Sequence, residues 1–116
     1  MMFEEVLISY NSKWGVRMGK LEVLDDRIKI ENSEYSRELL YLDIEAILKK
    51  KLRVSFMIND YLMINGGIKV KLNDGNSYLF YYSNNGKLKS MKTANRKAKL
   101  LLKILQSKLV EFRNII

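Results

Sequence analysis

Cysteine and histidine are both absent from this chain of 116 residues. Their absence excludes disulfides, thiolate nucleophiles, imidazole bases and nearly all zinc, haem and copper sites. No metal and no cofactor is therefore expected. Proline is absent as well, so no proline-rich linker divides the chain. No apolar run approaches the roughly 18 to 20 residues of a membrane span. The N-terminus, MMFEEVLISY, carries acids where a signal peptide would carry bases. A cytoplasmic protein with no transmembrane segment is expected, peripheral contact with a membrane remaining open.

Acidic residues are scarce in one part of the chain. Residues 1–75 hold 12 Lys+Arg against 12 Asp+Glu, whereas residues 76–116 hold 9 against 1, Glu111, which accounts for the whole net charge of +8. Such a one-sided segment marks a surface that faces an acidic partner, or one that serves solubility. What the chain does have is 47% apolar and 29% charged residues, the composition of an ordinary globular protein. Its length suits one core, so residues 1–116 are read as a single domain.

From residue 4 to about 83 the pattern is alternation, the period of strands buried on one face. Val6, Ile8 and Tyr10 alternate first. Val16 and Met18 begin a second run that changes phase to Leu21 and Val23, which predicts a bulge at Gly19. Asp25-Asp26 predicts a tight turn before Ile28 and Ile30. A run from Leu39 to Leu48 would place Leu40, Leu42, Ile44, Ala46 and Leu48 on one face. Leu52, Val54, Phe56 and Ile58 follow, then a short piece from Tyr61 to Ile64 ending at Gly66-Gly67, read as a turn. IKVKL, the turn NDG (73–75) and SYLFYY predict a hairpin, since Asp-Gly supplies the positive φ that a short turn requires.

Beyond Gly86 the period becomes helical. Met91, Ala94, Ala98, Leu101, Leu102, Leu105, Leu109 and Phe112 recur at spacings of three and four, predicting a helix over about residues 92–113 with Ser90 or Thr93 as cap. The strands are too closely spaced for crossover helices. The expected fold is mainly β with one C-terminal α-helix: a bent antiparallel sandwich or barrel of about seven strands, capped by a long amphipathic helix.

This order of segments resembles the pleckstrin-homology-like superfamily, especially its GRAM, GLUE and bacterial PH branches. GKLEVLDDRIKI (19–30) is similar to the family's Gly-x-Leu-x-x-Thr-x-x-Arg-Leu strand pair. LYLDIEAI (40–47) is similar to its hydrophobic run ending Asp-Ile-x-x-Ile, and IKVKLNDGNSYLFYY (68–82) to its Asp-Gly hairpin. The resemblance implies a non-catalytic module that binds phosphoinositides, other acidic lipid surfaces, or proteins such as ubiquitin. Its phosphoinositide-binding members present bases across the first hairpin, a pattern that Lys20, Arg27 and Lys29 approach. Asp25 and Asp26 in the turn depart from that pattern.

Several basic groups are candidates for an acidic ligand. Projected at about 100° per residue, Lys89, Lys92, Arg96, Lys99 and Lys103 form one stripe opposite the core face, with Lys97 and Lys108 flanking the core elsewhere. No acid sits at the spacing that would pair them along the helix. Leu100 and Ile104 project toward the edge of the stripe, and cations bordered by aliphatics suit a membrane interface or a partner protein. At about 1 kcal/mol per base the stripe is worth roughly 5 kcal/mol on an anionic membrane, which corresponds to sub-millimolar binding. Lys49, Lys50, Lys51 and Arg53, in or beside a strand connection, form a second basic cluster or a solvated loop. Trp14, between Lys13 and Arg17, is an interfacial aromatic or a cover for the sheet edge.

The expected function is recognition of an acidic surface, either anionic lipid or a protein partner. The alternative is nonspecific nucleic-acid binding through the basic helix, for which the sequence pI of about 9.7 speaks. Against it, Tyr78, Phe80 and Tyr82 share the core face, leaving mainly Tyr81 to stack on bases. Catalysis is not expected: Glu4-Glu5 and Asp25-Asp26 point apart or into solvent, no histidine activates a serine, and Gly66-Gly67 and Asp74-Gly75 read as turns.

Overall fold

The structure is a computed structural model that describes residues 1–11, 16–55, 62–82 and 88–115, with the side chains of all of these except 52–55, 62–65 and 88–91. Seven strands precede one helix: β1 (Met2–Tyr10), β2 (Arg17–Val23), β3 (Arg27–Asn32), β4 (Ser36–Leu40), β5 (Ile44–Ser55), β6 (Leu62–Leu72), β7 (Ser77–Tyr82) and α1 (Leu88–Ile115). The strands form one antiparallel sheet in the order β4-β3-β2-β1-β7-β6-β5, curled into a half-barrel. Helix α1 packs on β5, β6 and β7. The chain is mainly β with a C-terminal helix, as its two periodicities predict.

The inner face is apolar for the reason that alternation gives. Val6 and Ile8, Ile28 and Ile30, and Tyr78, Phe80 and Tyr82 are buried at every second position of their strands. Against them lie Ala94, Ala98, Leu101, Leu105 and Leu109 of α1. The Asp-Gly hairpin forms as expected: Gly75 has φ +90°, and the Leu72 N–H donates to the Asn76 carbonyl at 2.8 Å. The turn at Asp25-Asp26 closes with the Leu24 N–H donating to the Arg27 carbonyl at 2.9 Å.

Four expectations are corrected. The bulge lies on β1 rather than at Gly19: pairing passes from Phe3 opposite Leu21 to Val6 opposite Gly19, so Glu4 and Glu5 together oppose Lys20, and Glu5 has φ 56°. Strand β2 keeps a single phase, because Val16 and Met18 are exposed on the outer face. Gly19 is needed for another reason: a Cβ there would run into the carbonyl oxygen of Glu31 on the neighbouring strand.

The run from Leu39 to Leu48 is broken by a 3-10 turn at Tyr41–Asp43 and by an irregularity between Ile44 and Ala46. Leu39, Tyr41, Ile44 and Ile47 are consequently the buried residues, while Leu40, Leu42 and Leu48 face solvent. Gly66-Gly67 is not a turn, since β6 runs straight through it, paired with Lys51 and Lys50. Finally, α1 begins at Leu88, which puts Ser90 and Thr93 inside the helix rather than at its cap. Phe56, Ile58 and Tyr61 lie outside the described residues, as do the side chains of Leu52, Val54 and Met91.

Candidate anion-binding surface

The position of α1 is set by its core stripe and by polar bonds to the edge of the sheet. Asn95 Oδ1 accepts from the Gly66 N–H at 2.7 Å, Gln106 Nε2 donates to the Ile47 carbonyl at 2.9 Å, and an Arg113 guanidinium nitrogen donates to the carbonyls of Ile44 (3.0 Å) and Glu45 (2.8 Å). These bonds occupy the flank of the helix that faces β5 and β6; those of Gln106 and Arg113 go to carbonyls of β5, the edge strand, and that of Asn95 to its neighbour β6. On the opposite flank Lys108 reaches Asp25 at 3.0 Å and Glu111 at 3.8 Å, and the Lys97 ammonium lies 5.7 Å from the Tyr82 ring centre.

Between these flanks Lys92, Arg96, Lys99 and Lys103 are exposed, and among the described residues none of them forms an ion pair. Lys89 belongs to the helix, but its side chain lies outside the described residues, as do the Arg53 side chain and Trp14. Leu100, 55% exposed, borders the stripe and shares a hollow of about 240 Å³ with Met2, Phe3, Glu4, Tyr82 and Lys97. Ile104 is only half-buried and packs against the core, so Leu100 alone of the two flanking aliphatics stands clear of it.

The cations of the first hairpin are differently placed. Lys20 pairs with Glu31 at 3.5 Å, Lys29 with Glu38 at 3.9 Å, and Arg27 with both Asp26 (2.8 Å) and Glu38 (2.7 Å). Hydrogen bonding from Arg27 holds the Asp26 carboxyl below the usual carboxylate range, and Asp26 and then Glu38 raise the Arg27 guanidinium in turn. Arg17 likewise pairs with Glu34 at 2.7 Å. Acids already neutralise this end of the sheet, and Asp25 and Asp26 are engaged by Lys108 and Arg27 rather than by each other.

Lys49, Lys50 and Lys51 occupy the middle of β5 rather than a loop. Alternation continues the inward phase of buried Ile47 to Lys49 and Lys51 and sends Lys50 to the other face with Leu48. Lys49 and Lys51 therefore line a cleft of about 380 Å³ with Gly66 and Gly67 of β6 and with Asn95, Ala98, Lys99 and Leu102 of α1. The fold thus brings Lys49 and Lys51 to the same cleft as Lys99 of the helix stripe, a juxtaposition of residues about fifty positions apart that no local pattern announces. The glycines help to form it: a Cβ on Gly66 would stand 3.6 Å from Asn95 Oδ1 and 4.0 Å from the Ala98 Cβ, inside this space.

No protein-family model matches the chain, and no curated protein matches it. Among the described residues no helix is long and apolar enough to cross a membrane.

Proposed function

We propose that the protein is a non-catalytic binding module of the cytoplasm that lays the outer face of α1 on an anionic membrane surface. The observation that supports this most directly is the segregation of charge in the folded chain. Cations on β2 and β3 are matched by carboxylates, whereas Lys92, Arg96, Lys99 and Lys103 stand together with no acid paired to them among the described residues. An exposed leucine at the border favours a lipid interface over bare solvent, because it can enter the headgroup boundary while the ammonium groups stay wet. The curled antiparallel sheet with one C-terminal helix is compatible with a pleckstrin-homology-like fold, whose members are binding modules.

Flotation with phosphatidylserine-containing and pure phosphatidylcholine vesicles, alongside duplex DNA at low and high salt, tests the reading. The protein is expected to float with the anionic vesicles and to bind DNA only at low salt. Failure to float with either vesicle, with DNA still bound at low salt and released at high salt, would replace the membrane by nonspecific nucleic-acid binding.

A further inference from the structure

We infer that the cleft between β5, β6 and α1 is a binding site for a phosphate monoester, with Lys49, Lys51 and Lys99 as its charge. Three exposed lysines line one cavity, and among the described residues that line it there is no carboxylate. A single negative charge would leave two of the three unmatched, while a dianionic phosphate with three acceptor oxygens offers each of them a charge-assisted hydrogen bond. The volume of about 380 Å³ lies in the range of small-molecule sites, roughly 300 to 1,000 Å³. There is room for a phosphate and the group that carries it. Ala98 and Leu102 supply an apolar lining for the carbon portion, and Gly66-Gly67 leave it room by carrying no side chain. Asn95, held by its bond to Gly66, adds an amide whose position is fixed by the backbone beneath it.

The site is built rather than incidental. Lysine at alternate positions of β5 follows the inward phase just where Gly66 of β6, paired with Lys51, leaves the floor without a side chain. Alanine at Gly66 would narrow the cleft without touching its charge. A phosphorylated lipid headgroup and a free phosphate compound present the same chemistry here. The lipid source rests on the reading of α1 as a membrane-facing helix; the free source does not.

Two arms separate them. Vesicles carrying phosphatidic acid or phosphatidylserine, adjusted to equal surface charge, are compared by flotation, and glycerol 3-phosphate is titrated with amide shifts followed at Gly66, Gly67, Asn95 and Lys99. Preference for phosphatidic acid of about tenfold is expected from one added set of charge-assisted bonds, falling to equality in Lys49→Gln/Lys51→Gln and in the charge-neutral Gly66→Ala. Shifts with glycerol 3-phosphate but no vesicle binding would keep the cleft, assign it a free phosphate compound and overturn the membrane reading. Equal binding to both vesicles with no shifts would overturn the cleft and leave the membrane reading standing. A preference that persists in both variants would also overturn it.

Discussion

Replacing Leu105 and Leu100 separately by alanine divides the two faces of α1, although the residues are barely more than a turn apart. Leu105 is completely buried in the core cluster, and Leu100 is 55% exposed. Fully burying a leucine is worth about 1.5 to 3 kcal/mol, and the cavity left by its removal raises the loss to about 2.7 to 5 kcal/mol. Ala94 and Ala98 on the same stripe are already small, so they cannot fill the space. Leu105→Ala is therefore expected to lose about 3 kcal/mol or more, a large share of the roughly 5 to 15 kcal/mol that holds such a domain. Leu100 keeps less than half of its surface buried and alanine is the better helix former, so Leu100→Ala should lose less than about 1 kcal/mol. Urea unfolding reads both as shifts in midpoint at constant slope. Equal losses in the two variants, or a loss below about 1 kcal/mol for Leu105→Ala, would refute the assignment of faces. Leu100→Ala should in turn bind anionic vesicles more weakly than the parent, a measurement on which Leu105→Ala should differ only through unfolding.

The two inward glycines should respond oppositely: Gly19→Ala forces its Cβ toward the Glu31 carbonyl and is expected to lose about 1 to 3 kcal/mol, while Gly66→Ala meets only ordinary van der Waals distances and should unfold at the parent's urea midpoint or above it. Burial pushes the Tyr41 phenol up to about 12, and its hydroxyl donates to the Leu24 carbonyl at 2.7 Å. Because the folded value lies above the unfolded one, the stabilisation is complete below about pH 10 and is lost as pH rises toward 12. Tyrosinate absorbance should show late ionisation that Tyr41→Phe diminishes; an unchanged titration curve would contradict it.

The fold class was legible because both periodicities are strong. Alternation before residue 83 and a three-four spacing after residue 90 leave few architectures once crossover helices are excluded. The errors arose where apolar residues face outward. Val16, Met18, Leu40, Leu42 and Leu48 carry the same pattern as a core face, and nothing in a single strand says which face is inside. The bulge escaped because its residues, Glu4 and Glu5, are polar, while the nearby glycine that suggested one serves a close approach of strands. The helix stripe could be read from the helical period alone. Its continuation into Lys49 and Lys51 could not, since it depends on the register of β5 with β6 and on where α1 docks. Gly66-Gly67 and the lysine run looked like turn and loop because composition is silent on whether a strand passes through them.

The position of the cations, rather than their number, is the claim on which the functional account rests. It is tested by flotation of two variants of equal net charge on phosphatidylserine vesicles: Lys92→Gln/Arg96→Gln/Lys99→Gln/Lys103→Gln on the helix, and Arg17→Gln/Lys20→Gln/Arg27→Gln/Lys29→Gln in the acid-paired hairpin. At about 1 kcal/mol per base the helix variant should lose roughly 4 kcal/mol, close to a thousandfold in affinity, with circular dichroism unchanged. The hairpin variant should retain most of the parent's binding. Equal loss in both variants would mean that net charge alone attracts the protein, and full binding by the helix variant would remove α1 from the account.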